Sequence, residues 1–182
     1  MTRTVSPAGR AALMAREGCR LTAYRDSVGV PTIGVGHTGR AAPPPVAMGM
    51  TVTRAEADRI FAADLAPFEA AVAGAVPGRL TQNQFDALLS LAFNIGTRGF
   101  VGSSVVHRLA EGDCTGAADA FLLWAHPPEL ATRRRAERAQ FLRPDATPTP
   151  VPPPPLAGPH LLPQPQPGLW ARAVAALTRK AA

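Results

Sequence analysis

Apolar residues recur at helical spacing through most of the first 143 residues, and local signals mark where each helix begins. Ser6-Pro7 is typical of an N-cap followed by proline at the first helical position, and Gly18 is a stop signal. The sequence therefore predicts a first helix over residues 7–17. Thr53-x-x-Glu56 is a capping box, and the apolar positions after it predict a long second helix.

A second capping box, Thr81-x-x-Gln84, predicts another helix, which we expect to stop at Gly96. Shorter periodic stretches predict helices near residues 104–111, 116–125 and 130–142. Between the first two long helices, LTAYR, the turn DSVG and VPTIGVGH are typical of a β-hairpin. The expected fold class is α+β, mostly helical, with one small N-terminal sheet.

Strict alternation in the returning strand of this hairpin would place its residues on two faces. Thr32, Gly34 and Gly36 would lie on one face and Ile33, Val35 and His37 on the other. The glycines would then leave the first face open to a bulky ligand.

Composition divides the chain into three parts. Residues 1–143 have the character of a globular domain, whereas residues 144–168 contain 11 of the 20 prolines and predict an extended linker. Residues 169–182 predict a short basic amphipathic helix. Such a helix could contact an anionic membrane surface, fold back on the domain, or fray at its end.

The chain is strongly basic, with a net charge of +6, which favours polyanionic partners such as nucleic acid, anionic membrane or an acidic wall polymer. Aromatic residues are only 5% and scattered, which argues against a nucleic-acid platform. No apolar run is long enough to span a membrane, and the N-terminus lacks a signal-peptide pattern. Cys19 and Cys114 lack metal-ligand spacing, and we expect neither a metal nor a cofactor.

Candidate chemistry is concentrated in EGCRLTAYRDSVGVPTIGVGHT, residues 17–38. Glu17 falls in the last turn of the first helix, where the helix dipole disfavours a negative charge and so favours a protonated carboxyl. Asp26 opens a polar turn and should stay ionised. Two carboxyl groups in such different surroundings are typical of the acid and base of a glycosidase. The alternative is a solvated helix end and a turn residue that binds its own backbone.

The pattern E-x8-D-x5-T, with GCRLTAYRDSVGVPTIGVGHTG around it, resembles the phage-type lysozymes, the endolysins of glycoside hydrolase family 24. LTQNQFDALLSLAFNIGTRGF, SSVVHRLAEGDCTGAADAFLLW and ELATRRRAERAQFL resemble the helical blocks of its lambdoid branch. The resemblance implies a lysozyme-like fold and a muramidase that cleaves the β-1,4 bond between N-acetylmuramic acid and N-acetylglucosamine in peptidoglycan. It implies that Glu17 is the acid, that Asp26 positions or activates water, and that Thr32 assists it.

The same resemblance suggests roles for other residues. His37 would be held by Asp64 as a structural pair, although a proton shuttle is the alternative. Asn94 would either line the sugar groove or cap helix carbonyls. By helix geometry alone, Arg133-Arg134-Arg135 is more simply a solvated helix face than a nucleic-acid contact, whereas the resemblance implies that Arg133 or Arg134 could reach Glu17.

The resemblance also implies a cellular setting. We expect a monomer that accumulates in the host cytoplasm and reaches the periplasm and cell wall through a membrane lesion made by a holin. A catalytically weak peptidoglycan-binding module on a lysozyme scaffold is the alternative function.

Overall fold

Helices dominate the computed structural model, which describes residues 3–40, 42–76 and 78–145. In chain order the elements are α1 (Pro7–Glu17), β1 (Arg20–Arg25), β2 (Pro31–Gly34), α2 (Arg54–Ala75), α3 (Gln82–Val101), α4 (Ser104–Ala110), α5 (Cys114–Ala120) and α6 (Ala131–Phe141), with short 3-10 helices at Phe121–Trp124 and Pro128–Leu130. The predicted mostly helical α+β class is confirmed. The predicted linker beyond residue 145 and the predicted helix over residues 169–182 lie outside the described residues.

Local capping signals set the starts of α1, α2 and α3. Ser6 caps α1 through its side chain, and α1 has the predicted bounds. The capping boxes that begin at Thr53 and Thr81 are both formed. In each, the threonine hydroxyl accepts from the backbone N–H of the third helical residue, and the side chain of that residue accepts from the backbone N–H of the threonine. Each box satisfies N–H groups that would otherwise lack a partner at a helix start.

The predicted stop at Gly96 is only partly correct. Gly96 leaves the helical conformation, with φ 78° and ψ 156°, but helical structure resumes directly after it and continues to Val101. Glycine adopts this positive φ without steric cost, so it breaks the direction of the helix without ending the helical segment. A local stop signal therefore acts here as a kink.

The β-hairpin is shorter than its sequence pattern suggested. β1 pairs antiparallel with β2, with Tyr24 opposite Thr32 and Arg25 opposite Pro31. β2 ends at Gly34, where φ is 63°, and the chain turns so that Ile33 and His37 bond to each other's backbone. The expected alternation through His37 is therefore wrong, because a tight turn replaces the last strand residues.

Helix α3 is the centre of the core. Its residues from Phe85 to Ala92 are buried, and α2 and α6 pack against it. α1 is tied to α3 near both of its ends, since the Asp86 carboxylate accepts from the backbone and the hydroxyl of Ser6, and Arg16 donates to the Ser90 hydroxyl. These contacts matter for the site, because α1 carries Glu17 at its C-terminal end.

The end of the described chain is attached to the start of α3. The Asp145 carboxylate accepts from the backbone N–H groups of Gln82 and Asn83, at 2.9 and 3.0 Å, and the Asn83 amide donates to the Pro144 carbonyl. These backbone hydrogen bonds lower the pKa of Asp145. Two residues that composition assigned to the linker thus contact the domain.

Candidate active site

Glu17 is the last residue of α1, and Gly18 turns the chain away from the helix with φ 79°. Its Oε1 atom accepts a hydrogen bond from Nη1 of Arg133 on α6, at 2.6 Å. The Glu17 side chain is 28% exposed and that of Arg133 is 14% exposed. Among the described residues Oε2 has no hydrogen-bond partner, so one carboxylate oxygen is held by an arginine and the other is not.

Arg133 and Arg134 are not the solvated face that the sequence suggested. Arg134 is completely buried, and it donates to the Trp124 carbonyl, to Glu137 and to Asn94. The expectation fails because α6 packs against α3 and the 3-10 helix at Phe121–Trp124, which covers two of the three consecutive arginines. Arg135 is exposed, as expected.

Asp26 lies at the start of the hairpin turn. Its Oδ1 atom accepts from the backbone N–H groups of Val28 and Val30, at 3.0 and 2.8 Å. This is the turn contact that was the simpler interpretation of the residue, and it fixes the orientation of the carboxylate. Oδ2 has no hydrogen-bond partner among the described residues, so it can bind a water or a ligand.

Thr32 is buried on β2, close to the same turn. Its hydroxyl donates to the Val30 carbonyl at 3.0 Å, and the Asp26 backbone N–H donates to that carbonyl too. Asp26 and Thr32 therefore converge on one peptide group. Since the Thr32 proton is used, its oxygen offers lone pairs to a nearby water rather than a donated hydrogen bond.

His37 and Asp64 are in direct contact. Nδ1 of His37 lies 2.9 and 3.0 Å from the two carboxylate oxygens, and Nε2 lies 2.8 Å from the Pro44 carbonyl. Both ring nitrogens face acceptors, so only the doubly protonated imidazolium can donate to both. His37 is buried, at 4% exposure, and its contact with Asp64 joins the end of the hairpin to α2.

Asn94 is exposed on α3, and its Oδ1 atom accepts from Arg134. Within the described residues its amide makes no hydrogen bond to a helix carbonyl. The contact links Asn94 to Arg134, and through Glu137 and Arg133 it is connected to Glu17.

A cavity of about 550 Å³ lies between the end of the hairpin, α2 and α3. Its walls combine Phe68 and Phe93 with the polar residues His37, Thr38 and Asp64. A larger cavity of about 670 Å³ lies between α1, α3 and α6, and neither cavity is lined by any of the three candidate catalytic residues. In the described part of the chain, no group of three or more potential ligands is placed to hold a metal ion.

Sequence reasoning missed Glu137 and Ser90, which are both buried beside Arg133. The Ser90 hydroxyl donates to Glu137 Oε1, and Arg133 donates to the same atom through Nε at 3.0 Å. A signal was available, because an acid three and four residues after two arginines on one helix lies on their face.

Comparison with known proteins places this geometry in context. The sequence model of the family described as Phage lysozyme matches residues 14–137. An endolysin of Salmonella phage P22 is 48% identical over 142 residues, which cover 76% of this chain and 97% of the relative. An endolysin of Acyrthosiphon pisum secondary endosymbiont phage 1 is 34% identical over 146 residues, with 75% and 97% covered.

Solved structures agree with these sequence matches. A crystal structure of a P22 lysozyme mutant superimposes with a TM-score of 0.72 and 46% identity, covering 78% of this chain and 99% of the other. The muramidase domain of SpmX from Asticaccaulis excentricus superimposes with a TM-score of 0.67 and 38% identity, covering 78% of this chain and all (100%) of that domain.

Proposed function

This chain belongs to the phage lysozyme family and is a muramidase of the endolysin type, and on that premise we propose that Glu17, Asp26 and Thr32 are its catalytic residues. The enzyme hydrolyses the β-1,4 bond between N-acetylmuramic acid and N-acetylglucosamine in bacterial peptidoglycan. Such a bond is uncharged, so its cleavage requires a proton for the leaving oxygen and an activated water or a carboxylate nucleophile.

The single observation that supports Glu17 as the general acid is the asymmetry of its two oxygens. Oε1 is held by Arg133, whereas Oε2 has no hydrogen-bond partner among the described residues, in a side chain that is 28% exposed. A proton carried on Oε2 would be available to the glycosidic oxygen.

Asp26 is suited to the second carboxylate role. Its Oδ1 atom accepts from two backbone N–H groups, which fix the orientation of the carboxylate. Its Oδ2 atom and the lone pairs of the Thr32 hydroxyl are left to position a water. We assign this pair to water activation, with Thr32 as an acceptor that orients the water.

Replacement of Glu17 tests the assignment. Glu17→Gln keeps an acceptor for Arg133 but cannot donate a proton as a carboxylic acid does, so the rate of murein cleavage should fall about 10²–10⁴-fold. The measurement is the release of reducing ends from purified murein, with circular dichroism to show that the fold is retained.

Glu111→Gln is the matched control. Glu111 also ends a helix and lies 3.7 Å from an arginine, Arg108, but it is exposed and far along the chain from the hairpin. This variant should cleave murein at the wild-type rate. Wild-type activity in Glu17→Gln would remove Glu17 from the acid role.

Asp26→Asn distinguishes hydrolysis of the glycosidic bond from cleavage without added water. If Asp26 manages the water, this variant should lose most hydrolysis, and any remaining cleavage should yield anhydro-sugar products detectable by mass spectrometry. Undiminished release of ordinary reducing ends would contradict the role. The alternative function, a catalytically weak peptidoglycan-binding module, predicts that wild-type protein sediments with murein without releasing reducing ends.

We further propose the cellular setting that the family suggests. The enzyme acts as a monomer, accumulates in the host cytoplasm, and reaches the wall through a lesion made by a holin. Among the described residues, no helix has both the length and the apolar character needed to cross a membrane. Contact of residues 169–182 with anionic membranes remains a proposal from their sequence. Sedimentation of the full chain with anionic and with zwitterionic vesicles tests it.

A further inference from the structure

Glu137 is a completely buried carboxylate on α6 that the proposed chemistry does not use directly. Taking a charge out of water costs several kcal/mol, at the order-of-magnitude level, unless partners replace the solvent. Glu137 has three such partners: Arg134, Arg133 and the Ser90 hydroxyl. A buried acid with two cationic partners, one helical turn from the site, calls for an explanation beyond packing.

The explanation lies in how Arg133 is shared. Its Nε atom donates to Glu137 Oε1 at 3.0 Å, its Nη1 atom donates to Glu17 Oε1 at 2.6 Å, and its Nη2 atom lies 3.3 Å from the Ser90 carbonyl. A guanidinium is planar and rigid, so a contact at one edge sets the direction of the other. By binding Nε, Glu137 therefore fixes the orientation of the guanidinium group whose Nη1 atom contacts Glu17.

The charges of the cluster add a second consequence. Two arginines face two carboxylates, so the cluster is neutral when Glu17 is ionised and carries one positive charge when Glu17 is protonated. Without the negative charge of Glu137, two cations would act on Glu17 and oppose its protonation. Arg16, the residue before Glu17 on α1, is a further cation beside this cluster, since it donates to the Ser90 hydroxyl at 3.0 Å.

We propose that Glu137 is a positioning residue for the reaction: it fixes Arg133 against Oε1 of Glu17 and offsets its charge, so that Glu17 can carry a proton on Oε2. This inference rests on the proposed role of Glu17 as the acid. It assigns to a buried residue, which cannot touch the substrate, control over the pH range of the enzyme.

Opposite shifts in the pH–rate profile test the proposal. A general acid must be protonated, so kcat/KM falls on the alkaline side as the acid loses its proton. Arg133→Gln removes the cation and should move this alkaline limb to higher pH, by about 1 pH unit for a charge in direct contact. Glu137→Gln should move the limb to lower pH, by a smaller amount because Glu137 acts through Arg133. A purely structural role would lower the rate without moving the limb in opposite directions.

Arg135→Gln is the matched control, because it removes the same charge from the same helix at an exposed position. Its alkaline limb should coincide with that of the wild type. If Arg133→Gln and Arg135→Gln moved the alkaline limb equally, the shift would come from the net charge of the protein alone, and the proposal would be overturned.

Glu137→Gln could also unfold the domain, because it leaves buried Arg134 without its carboxylate. Glu137→Asp covers this case, since it keeps a negative charge in the buried cluster with Arg134 but shortens the side chain that reaches Arg133 by one methylene. The proposal expects reduced kcat/KM with a small shift of the limb to lower pH, and a wild-type rate and profile would overturn it.

The acid role of Glu17 and the positioning role of Glu137 are tested by different variants. Activity retained in Glu17→Gln would reject the acid assignment. An inactive Glu17→Gln, together with unmoved limbs in Arg133→Gln and Glu137→Gln, would reject the positioning role alone.

Discussion

Gly9 should be required at its position in α1, although it lies in a helix where alanine is usually preferred. An added Cβ would stand 2.5 Å from Cγ and 2.6 Å from Oδ2 of Asp86. Asp86 cannot simply move away, because its carboxylate accepts from the Ser6 backbone and hydroxyl and from the Gln82 amide. Gly9→Ala therefore forces either α1 or this hydrogen-bonded carboxylate to shift.

The magnitude follows from three contributions. Overpacking typically costs about 1–3 kcal/mol. Disturbing the Ser6 cap, which accepts from the Gly9 backbone at 2.9 Å, adds a cost of about 1 kcal/mol. The higher helix propensity of alanine stabilises the folded protein by about 1 kcal/mol at most, which offsets part of this cost. We expect the free energy of unfolding to fall by about 1–3 kcal/mol in Gly9→Ala.

Urea denaturation followed by circular dichroism measures this loss. Gly74→Ala is the control, because Gly74 lies in α2 with nothing within 4 Å of an added Cβ. That variant should gain up to about 1 kcal/mol through the unfolded state. A Gly9→Ala protein as stable as wild type, or more stable, would refute the clash argument.

The same variant probes the site. Glu17 lies eight residues after Gly9 in the same helix, about 12 Å along its axis at 1.5 Å per residue. If the clash is relieved by moving α1, the acid moves too, and a displacement near 1 Å can cost about 10²-fold in rate. Reduced kcat in the folded variant would show that α1 moved, whereas an unchanged kcat would place the adjustment at Asp86.

Two further predictions concern ion pairs. Asp64→Asn should lower the free energy of unfolding by about 1.5–3 kcal/mol, because the amide replaces a charged acceptor of the buried His37 ring; urea denaturation measures it, and an unchanged value would make the contact energetically neutral. Arg10 lowers the pKa of Asp58 below its ordinary value of 3.8, mainly through a hydrogen bond. This stability is present above pH 3.8 and is lost as pH falls through the lower folded pKa. Asp58→Asn should therefore destabilise by about 0.2–1 kcal/mol at pH 7, given the partly exposed pair, and by less near pH 2. Equal losses at both pH values would contradict the assignment.

The sequence by itself determined the features that depend on neighbouring residues. Helix starts at Ser6, Thr53 and Thr81 were predictable because each cap is made within four residues of the chain. The turn at Asp26 was predictable for the same reason. The family was evident from a dense motif in one continuous stretch, and the comparisons confirm it.

Tertiary structure decided the features that join distant segments. The contact between Glu17 and Arg133 spans 116 positions, and the sequence could not choose between Arg133 and Arg134 as the partner. The burial of Arg134 and Glu137 follows from the packing of α6 on α3, which no pattern in TRRRAERAQF reveals, since polar residues there suggest solvent. The need for glycine at position 9 depends on Asp86 in another helix. Local signals place the ends of elements, whereas the surroundings of the proposed acid exist only once α1, α3 and α6 pack together.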